Sequence, residues 1–542
     1  MLDPTEEELE SLAATNDAAA STETVSSDQS ASTDGVPSET AEERRRDFFA
    51  YQLSLFLVTQ LAYMPVAGSM LSTTFFEPSE AYCNNASHIN DEFASLLIAW
   101  NAHCRQSPLN IGVTSTVMAG ATVGAFSSGF LADRFGRKPV VVGTMVLTAL
   151  GNALLAVIGG AAPSAAITIF FILGAACGGY MVTNLVLMIE NLEHARSRMF
   201  VVALSGWPLG MMYAAGVGYG TRNWRHYHAV VALTAAAFCL VLEATSYESI
   251  RWLIHHNYLM RADKVQLKID SRNSKANAIL PKGMQSQKTL PEKMPSLKAL
   301  DRQSVHNSSF KKPPQRKYSY IDLFRHKLIR RPLLALLYCF TASSIVSFGF
   351  YFSVGVLPGN RFVNLAAMGA LKLALGFLPF LVSPWLGRRP IIVSSVGLAA
   401  LCAWAYAVSV FGLGLSAHWT ITILGLLVTA AMDPTWKINH LYSAELFPTP
   451  VRNMARALCN VGSRLGSLFA PFLVYSSQWF DNIHILVFAV LLSIQLVVVV
   501  CVFPETKDCP LPEDISDLVA RQGEKLVQIE EKTRLRELTD VA

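Results

Sequence analysis

A chain of 542 residues with 52% apolar and only 15% charged side chains lies well below the roughly 25% charge of soluble domains, which excludes a string of ordinary water-soluble domains. The formal net charge of +4 is unremarkable as a total. What informs is its placement, because the charges stand between long apolar blocks rather than among them.

Residues 1–47 are rich in Ser, Thr, Ala and acids and show no apolar periodicity, as expected of a disordered tail. No apolar run lies near the start, so this stretch does not read as a cleaved signal peptide. Arg44, Arg45 and Arg46 precede the first apolar block and favour a cytoplasmic N-terminus. A bilayer core of about 30 Å needs roughly 20 apolar residues in a helix. Such blocks run at about 48–74, 109–132, 139–160, 165–190, 200–220 and 228–247. A second set runs at about 333–357, 362–386, 390–412, 418–442, 455–477 and 483–503. Six and six around a long polar loop is the pattern of a duplicated transporter. Lipid leaves backbone groups no other partner, so the expected class is an all-α membrane protein of twelve transmembrane helices. Its expected parts are the tail at 1–47, a first half at 48–248, a basic cytoplasmic loop at 249–332, a second half at 333–503 and a cytoplasmic tail at 504–542.

Loop charges set the orientation. Arg134, Arg137, Lys138, Arg196, Arg198, Arg388, Arg389 and Arg452 follow the even-numbered spans, whereas the opposite loops are poor in Lys and Arg apart from Arg222 and Arg225. Both termini are therefore expected in the cytoplasm. In the first outer loop Asn85-Ala86-Ser87 is a glycosylation sequon. Cys83 and Cys104 share that loop, so a disulfide is plausible in an oxidising compartment, against the simpler reading of two free thiols. The sequon at Asn307 falls in the basic loop and is expected to stay unmodified. That loop reads more simply as a solvated linker than as a segment skimming the anionic leaflet. Its Ser304 and Ser319 follow basic residues, a phosphorylation signal common by chance.

After the second span stands GFLADRFGRKP, Gly129 to Pro139, with a degenerate echo, WLGRRP, at Trp385 to Pro390. Gly129 allows close helix approach, and Asp133 at a helix end can hold cationic groups. The string resembles the signature of the major facilitator superfamily. Further strings are AWNAHC at Ala99 to Cys104, ESIRWL at Glu248 to Leu253, AELFPTPVRN at Ala444 to Asn453, SRLGSLFAPF at Ser463 to Phe472 and FPETKDCPLPEDISD at Phe503 to Asp517. Together they resemble the organic cation, organic anion and carnitine transporter family over about Phe48 to Asp517. Two departures are a shorter first outer loop and Ile250 where the family's motif has Pro. The resemblance implies alternating access of two six-helix halves. It also implies a cytoplasmic charge lattice of Asp133, Arg137, Glu190, Arg196, Glu248, Arg251, Glu445 and Arg452, each of which has the alternative of a solvated helix-end charge.

Ionisable residues deep in a span are functional candidates by default. Lys372 and Arg464 lie about 15 Å from the ends of the eighth and eleventh spans, beyond the reach of snorkelling. Compared with the family, each stands where cation-transporting relatives carry an acid, and anion and carnitine transporters resemble this chain in having Arg at the second position. Two fixed positive charges in a low-dielectric cavity would favour a carboxylate over an organic cation, and Arg464 offers a planar two-point hydrogen bond. Pairing with a buried acid is the alternative. Asp433 is the obvious partner, although Lys437, four residues on, could neutralise it locally. Phe348, Tyr351 and Trp207 could stack on a substrate ring or ammonium, or simply pack.

An enzyme is the poorest reading. The sequence shows no metal-spaced His/Cys set, no nucleophile elbow and no phosphate loop. His226 and His228 read as surface histidines at a helix edge. No cofactor, metal or nucleic-acid partner is expected. The expected partners are a small organic solute, the lipid bilayer, and a coupling ion (sodium or proton) or counter-substrate. The expected activity is secondary transport of organic anions or carboxylate-bearing zwitterions across the plasma membrane. Organic cation transport and a transport-inactive receptor or scaffold are the alternatives.

Overall fold

The computed structural model describes residues 50–77, 93–102, 108–192, 204–279, 320–355, 357–383, 385–414, 419–476, 480, 482–507 and 512. Asn85, Cys83, Cys104, Arg196, Asn307, Ser304, Ser319 and the tail at 1–47 lie outside the described residues. Within them the long helices are α1 (Ala50–Phe75), α2 (Pro108–Phe135), α3 (Arg137–Ile158), α4 (Pro163–Glu190), α5 (Trp207–Thr221) and α6 (Trp224–Thr245). They are followed by α7 (Lys327–Phe352), α8 (Arg361–Val382), α9 (Arg388–Gly412), α10 (Trp419–Glu445), α11 (Thr449–Tyr475) and α12 (Ile483–Val502). Eleven of these are long and apolar enough to cross a bilayer. The twelfth, α5, has 15 residues, because the helix begins only at Trp207, after non-helical residues 204–206 of the apolar block.

Prolines open α2 and α4, where a missing N–H costs nothing. Those within α8, α10 and α11, Pro379, Pro434 and Pro471, each remove an internal hydrogen bond. The outward faces carry Leu147, Leu150, Leu233, Leu240 and Leu401, all exposed. Lipid tails are as apolar as these side chains, so helix association must come from close packing. Accordingly Gly120 and Gly124 of α2 meet the backbone of Phe171 and Ala175 in α4, while Gly174 and Gly178 of α4 meet that of Val117 and Ala121. Any Cβ at these four positions would collide with backbone. Gly462 and Gly466 of α11 lie likewise against Leu337 and Thr341 of α7.

In the first half α2 packs on α4, α3 on α4 and α6, and α1 on α5. In the second half α7 packs on α11, α9 on α10 and α12, and α8 on α10. The halves meet through α5 with α8 and through α2 with α11. The segment after α6 departs from the expectation of a plain linker. It carries helices Ile250–His255 and Leu259–Ile279, and Tyr320–Arg325 precedes α7. Trp252, Leu253 and Ala262 bury a small core between the first two. Asn273 Oδ1 accepts from the backbone N–H of Tyr51 at 3.0 Å, capping the exposed start of α1. His228 is not a surface residue: it is buried, with Nδ1 2.8 Å from Asn152 Oδ1, inside the α3–α6 contact.

Candidate substrate site and charge lattice

Four of the five residues singled out for the central site come together between the halves. Trp207 at the start of α5 has its ring centroid 6.2 Å from Phe348 and 6.3 Å from Tyr351, both on α7. Phe348 and Tyr351 meet edge-on at 5.4 Å. The Nζ of Lys372 stands 5.6 Å from the centroid of the Tyr351 ring. The first half thus contributes one wall and the second half two, so relative movement of the halves must deform this pocket.

Lys372 is only 3% exposed and reaches Asp433 Oδ1 at 3.4 Å and the carbonyl of Thr429 at 3.2 Å. Lys437 reaches the other oxygen, Oδ2, at 2.7 Å and the carbonyl of Gly376 at 2.7 Å. Asp433 is therefore shared by two lysines, one on its own helix and one on α8. Pro434 opens the α10 backbone beside it.

Arg464 behaves differently. It sits 15 residues from Thr449 and 11 from Tyr475 along α11, so more than about 15 Å of helix separates it from either end, yet it keeps intermediate exposure. No described carboxylate lies within ion-pair distance of it. Its electrostatic neighbours are Tyr63 of α1 and His440 of α10. Tyr63, whose ring meets Tyr180 of α4 edge-on at 5.6 Å, was not legible as a site residue, since a Tyr within a span is usually a packing residue or interface anchor. Among the described deep charges of α8, α10 and α11, Lys372 and Lys437 share the carboxylate of Asp433, and Arg464 is a third cation beside that one acid.

The charged helix ends form two similar clusters. In the first half Arg137 spans Asp133 at 2.9 Å and Glu190 at 3.0 Å, with its Nε also donating to Glu190. Glu248 pairs with backbone instead: its Oε1 accepts from Arg137 N at 2.8 Å and its Oε2 from Lys138 N at 3.3 Å. A carboxylate there satisfies orphan donors and the positive end of α3. Gly136, at φ +106°, makes the turn, and a Cβ would strike Glu248. Arg251 donates to the carbonyl of Leu192 at 3.5 Å. Ile250 replaces Pro at the first position of its short helix, and the helix still starts there because Ser249 Oγ accepts from Trp252 N. A cavity of about 550 Å³ opens among Asp133, Arg137, Glu190, Arg251, Trp252 and His255.

The second half repeats this with different partners. Glu505 accepts from Arg388 N at 2.8 Å and Arg389 N at 3.1 Å, the counterpart of Glu248. Burial raises its pKa, but the N–H groups of Lys507, Arg388, Arg389 and Thr506 outweigh that and hold the carboxyl below its usual range. Glu445 takes Arg388 Nε at 3.8 Å and the Thr506 hydroxyl, as Glu190 takes Arg137. Arg452 turns instead to the carbonyls of Phe447 at 3.0 Å and Pro512 at 3.2 Å. Glu505 was missed in the sequence although WLGRRP repeats the turn it caps. The ion pairs of Arg137 with Asp133 and Glu190, and of Arg388 with Glu445, each join elements of one half.

At the opposite end the halves touch. Phe362 of α8 packs between Phe75 at 4.9 Å, Phe93 at 6.3 Å and Tyr219 at 6.1 Å. Beside it Arg361 donates to the carbonyl of Glu77 at 2.6 Å.

The family described as sugar (and other) transporter matches residues 60–515. The chain belongs to that family. It is similar to solute carrier family 22 member 2 of Rattus norvegicus, 27% identical over 442 residues, 80% of this chain and 73% of the relative. It also resembles the organic cation transporter protein of Drosophila melanogaster, 26% identical over 78% of this chain and 74% of the relative. Solute carrier family 22 member 6 of Mus musculus is 24% identical over 82% and 78%. The fold matches a proton:xylose symporter of the major facilitator superfamily bound to 6-bromo-6-deoxy-D-glucose, with a TM-score of 0.57, 16% identity and coverage of 87% of this chain and 99% of that one. The inward-open xylose transporter from E. coli matches at 0.56, with 16% identity over 85% and 98%. The chain is a multi-pass membrane transporter of the major facilitator superfamily, and the resemblance to organic cation, anion and carnitine transporters agrees with its solute carrier family 22 relatives.

Proposed function

We propose that this transporter carries small organic solutes bearing a carboxylate, organic anions or carnitine-like zwitterions, by alternating access. The observation that carries this reading is the central charge balance, three cations against one carboxylate, with Arg464 lacking an acidic partner among the described residues. A cavity with that excess attracts an anion and repels a cation. Arg464 would grip the carboxylate through its planar fork. Lys372 would add charge, and Trp207, Phe348 and Tyr351 would hold the organic body.

In this reading the basic helix ends face the cytoplasm, both termini lie there, and the protein works at the plasma membrane. Asp133, Arg137, Glu190, Arg196, Glu248, Arg251, Glu445 and Arg452 then form the inner gate. Contact of the halves around Phe362 supports an inward-facing state in which the outer end is shut. Sodium, a proton or a counter-substrate would drive the cycle.

The aromatic trio would also suit an organic cation, the solute class in the name of the fly relative. Uptake by cells expressing the chain, with labelled carboxylate, zwitterion and quaternary ammonium side by side, separates the two. Carboxylate uptake is expected to exceed that of the simple cation; equal or greater cation uptake refutes the charge argument.

A further inference from the structure

We propose that Asp433 is a resident stand-in for the substrate's carboxylate: it holds Lys372 when the site is empty and yields it when substrate arrives. This rests on the carboxylate reading above.

The two lysines do not share Asp433 equally. Lys437 pairs with Oδ2 at 2.7 Å as an ion pair in which Oδ2 accepts no hydrogen bond among the described residues, and it donates a short charge-assisted hydrogen bond to the carbonyl of Gly376 at 2.7 Å. Lys372 is held at 3.4 Å by Oδ1 and 3.2 Å by the Thr429 carbonyl, which are weaker contacts on distance alone. The bare Cα of Gly376 lies against Asp433 and Lys437, and a Cβ there would strike both. Lys437 is therefore the fixed counter-ion and Lys372 the loosely held one.

Lys372 also touches the aromatic cluster. Its Nζ lies 3.4 Å from Asp433 and 5.6 Å from the centroid of the Tyr351 ring, and Tyr351 belongs to the aromatic cluster with Phe348 and Trp207. A carboxylate arriving over those rings approaches the same ammonium that Asp433 holds. When Lys372 turns to it, Asp433 is not left as a bare buried charge, because Lys437 still pairs with it. That standing partner makes the exchange feasible, since an unpaired buried carboxylate would be prohibitive. Asp433 then sets affinity by competition, and its return to Lys372 helps expel the substrate.

The test is uptake kinetics of a labelled aromatic carboxylate, normalised to surface protein, in wild type, Asp433→Asn, Lys437→Gln and the double variant D433N/K437Q. Asp433→Asn is expected to lower KM about three- to tenfold and to lower the maximal rate. Lys437→Gln is expected to raise KM, because Asp433 then has only Lys372. The double variant decides, because it leaves the net charge of the site unchanged. Competition predicts a KM below wild type, whereas a mere field effect predicts no change. It also serves where the single Asn variant does not reach the surface. A KM in the double variant equal to or above wild type overturns the proposal while leaving carboxylate transport standing. Absence of carboxylate uptake by wild type would instead remove the functional reading and this inference with it.

Discussion

Replacing Arg464 by Ala takes away the deep cation that no described carboxylate neutralises. A hydrogen bond to a charged group contributes about 1.5–3 kcal/mol. At about 1.4 kcal/mol per factor of ten, the KM for a carboxylate should rise roughly 10- to 150-fold. Arg464 has intermediate exposure and no ion-pair partner among the described residues, so its loss orphans no buried acid, and the cost to folding should stay within about 1 kcal/mol. Arg464→Lys keeps the charge and loses the planar fork, and is expected to fall between Ala and wild type. The assay is concentration-dependent uptake of a labelled aromatic carboxylate, with surface biotinylation to count transporters. Carboxylate uptake unchanged in Arg464→Ala at equal surface abundance would remove Arg464 from the site and leave the proposed selectivity without its main support.

Arg137→Ala frees Glu190 and Asp133 together. With side-chain exposures of 12% for Arg137 and 18% for Glu190, the lost pair should cost up to about 3–5 kcal/mol. The expected result is low surface abundance and a fall in maximal rate with KM little changed; a pure KM effect would contradict a gating role. Phe362→Ala should cost about 3–5 kcal/mol of packing at the end where the halves touch, which the proposed orientation places outside, so a cysteine placed at Thr74 should become reactive to an impermeant thiol reagent, compared with Phe362 intact. Unaltered labelling would show that this contact does not seal the end.

The Glu505 carboxyl is depressed in the folded protein, so its stabilisation is complete above the unfolded value of about 4.3. It is lost as pH falls through the lower folded value. Thermal unfolding of the detergent-solubilised protein should therefore lose this contribution only below about pH 4.3, and Glu505→Gln should flatten that acid limb. A Glu505-dependent loss between pH 7 and 5 would contradict the backbone-capping geometry.

The spans were legible because a bilayer imposes one length on every helix and forbids unpaired backbone. The turn GRKP and its echo GRRP were legible as a repeat, and the structure gives both the same carboxylate cap, Glu248 and Glu505. The roles of the lattice residues were not. Glu445 and Arg452 stand seven apart in the sequence, but Glu445 goes to Arg388 and Thr506 while Arg452 goes to backbone carbonyls. Sequence spacing ranks neighbours along one helix, whereas these partners arrive from other elements.

What the residues alone determined is therefore the all-helical membrane architecture, its internal duplication and the presence of ionisable groups too deep to escape the bilayer, since each follows from local composition and span length. The tertiary structure decided which of those charges are neutralised. Only packing of α8 against α10 gives Lys372 the carboxylate of Asp433, and only the packing of α11 against α7 and α2 leaves Arg464 without a carboxylate among the described residues. Charge pairing depends on distances of a few ångströms between segments far apart in the chain, which no local pattern encodes.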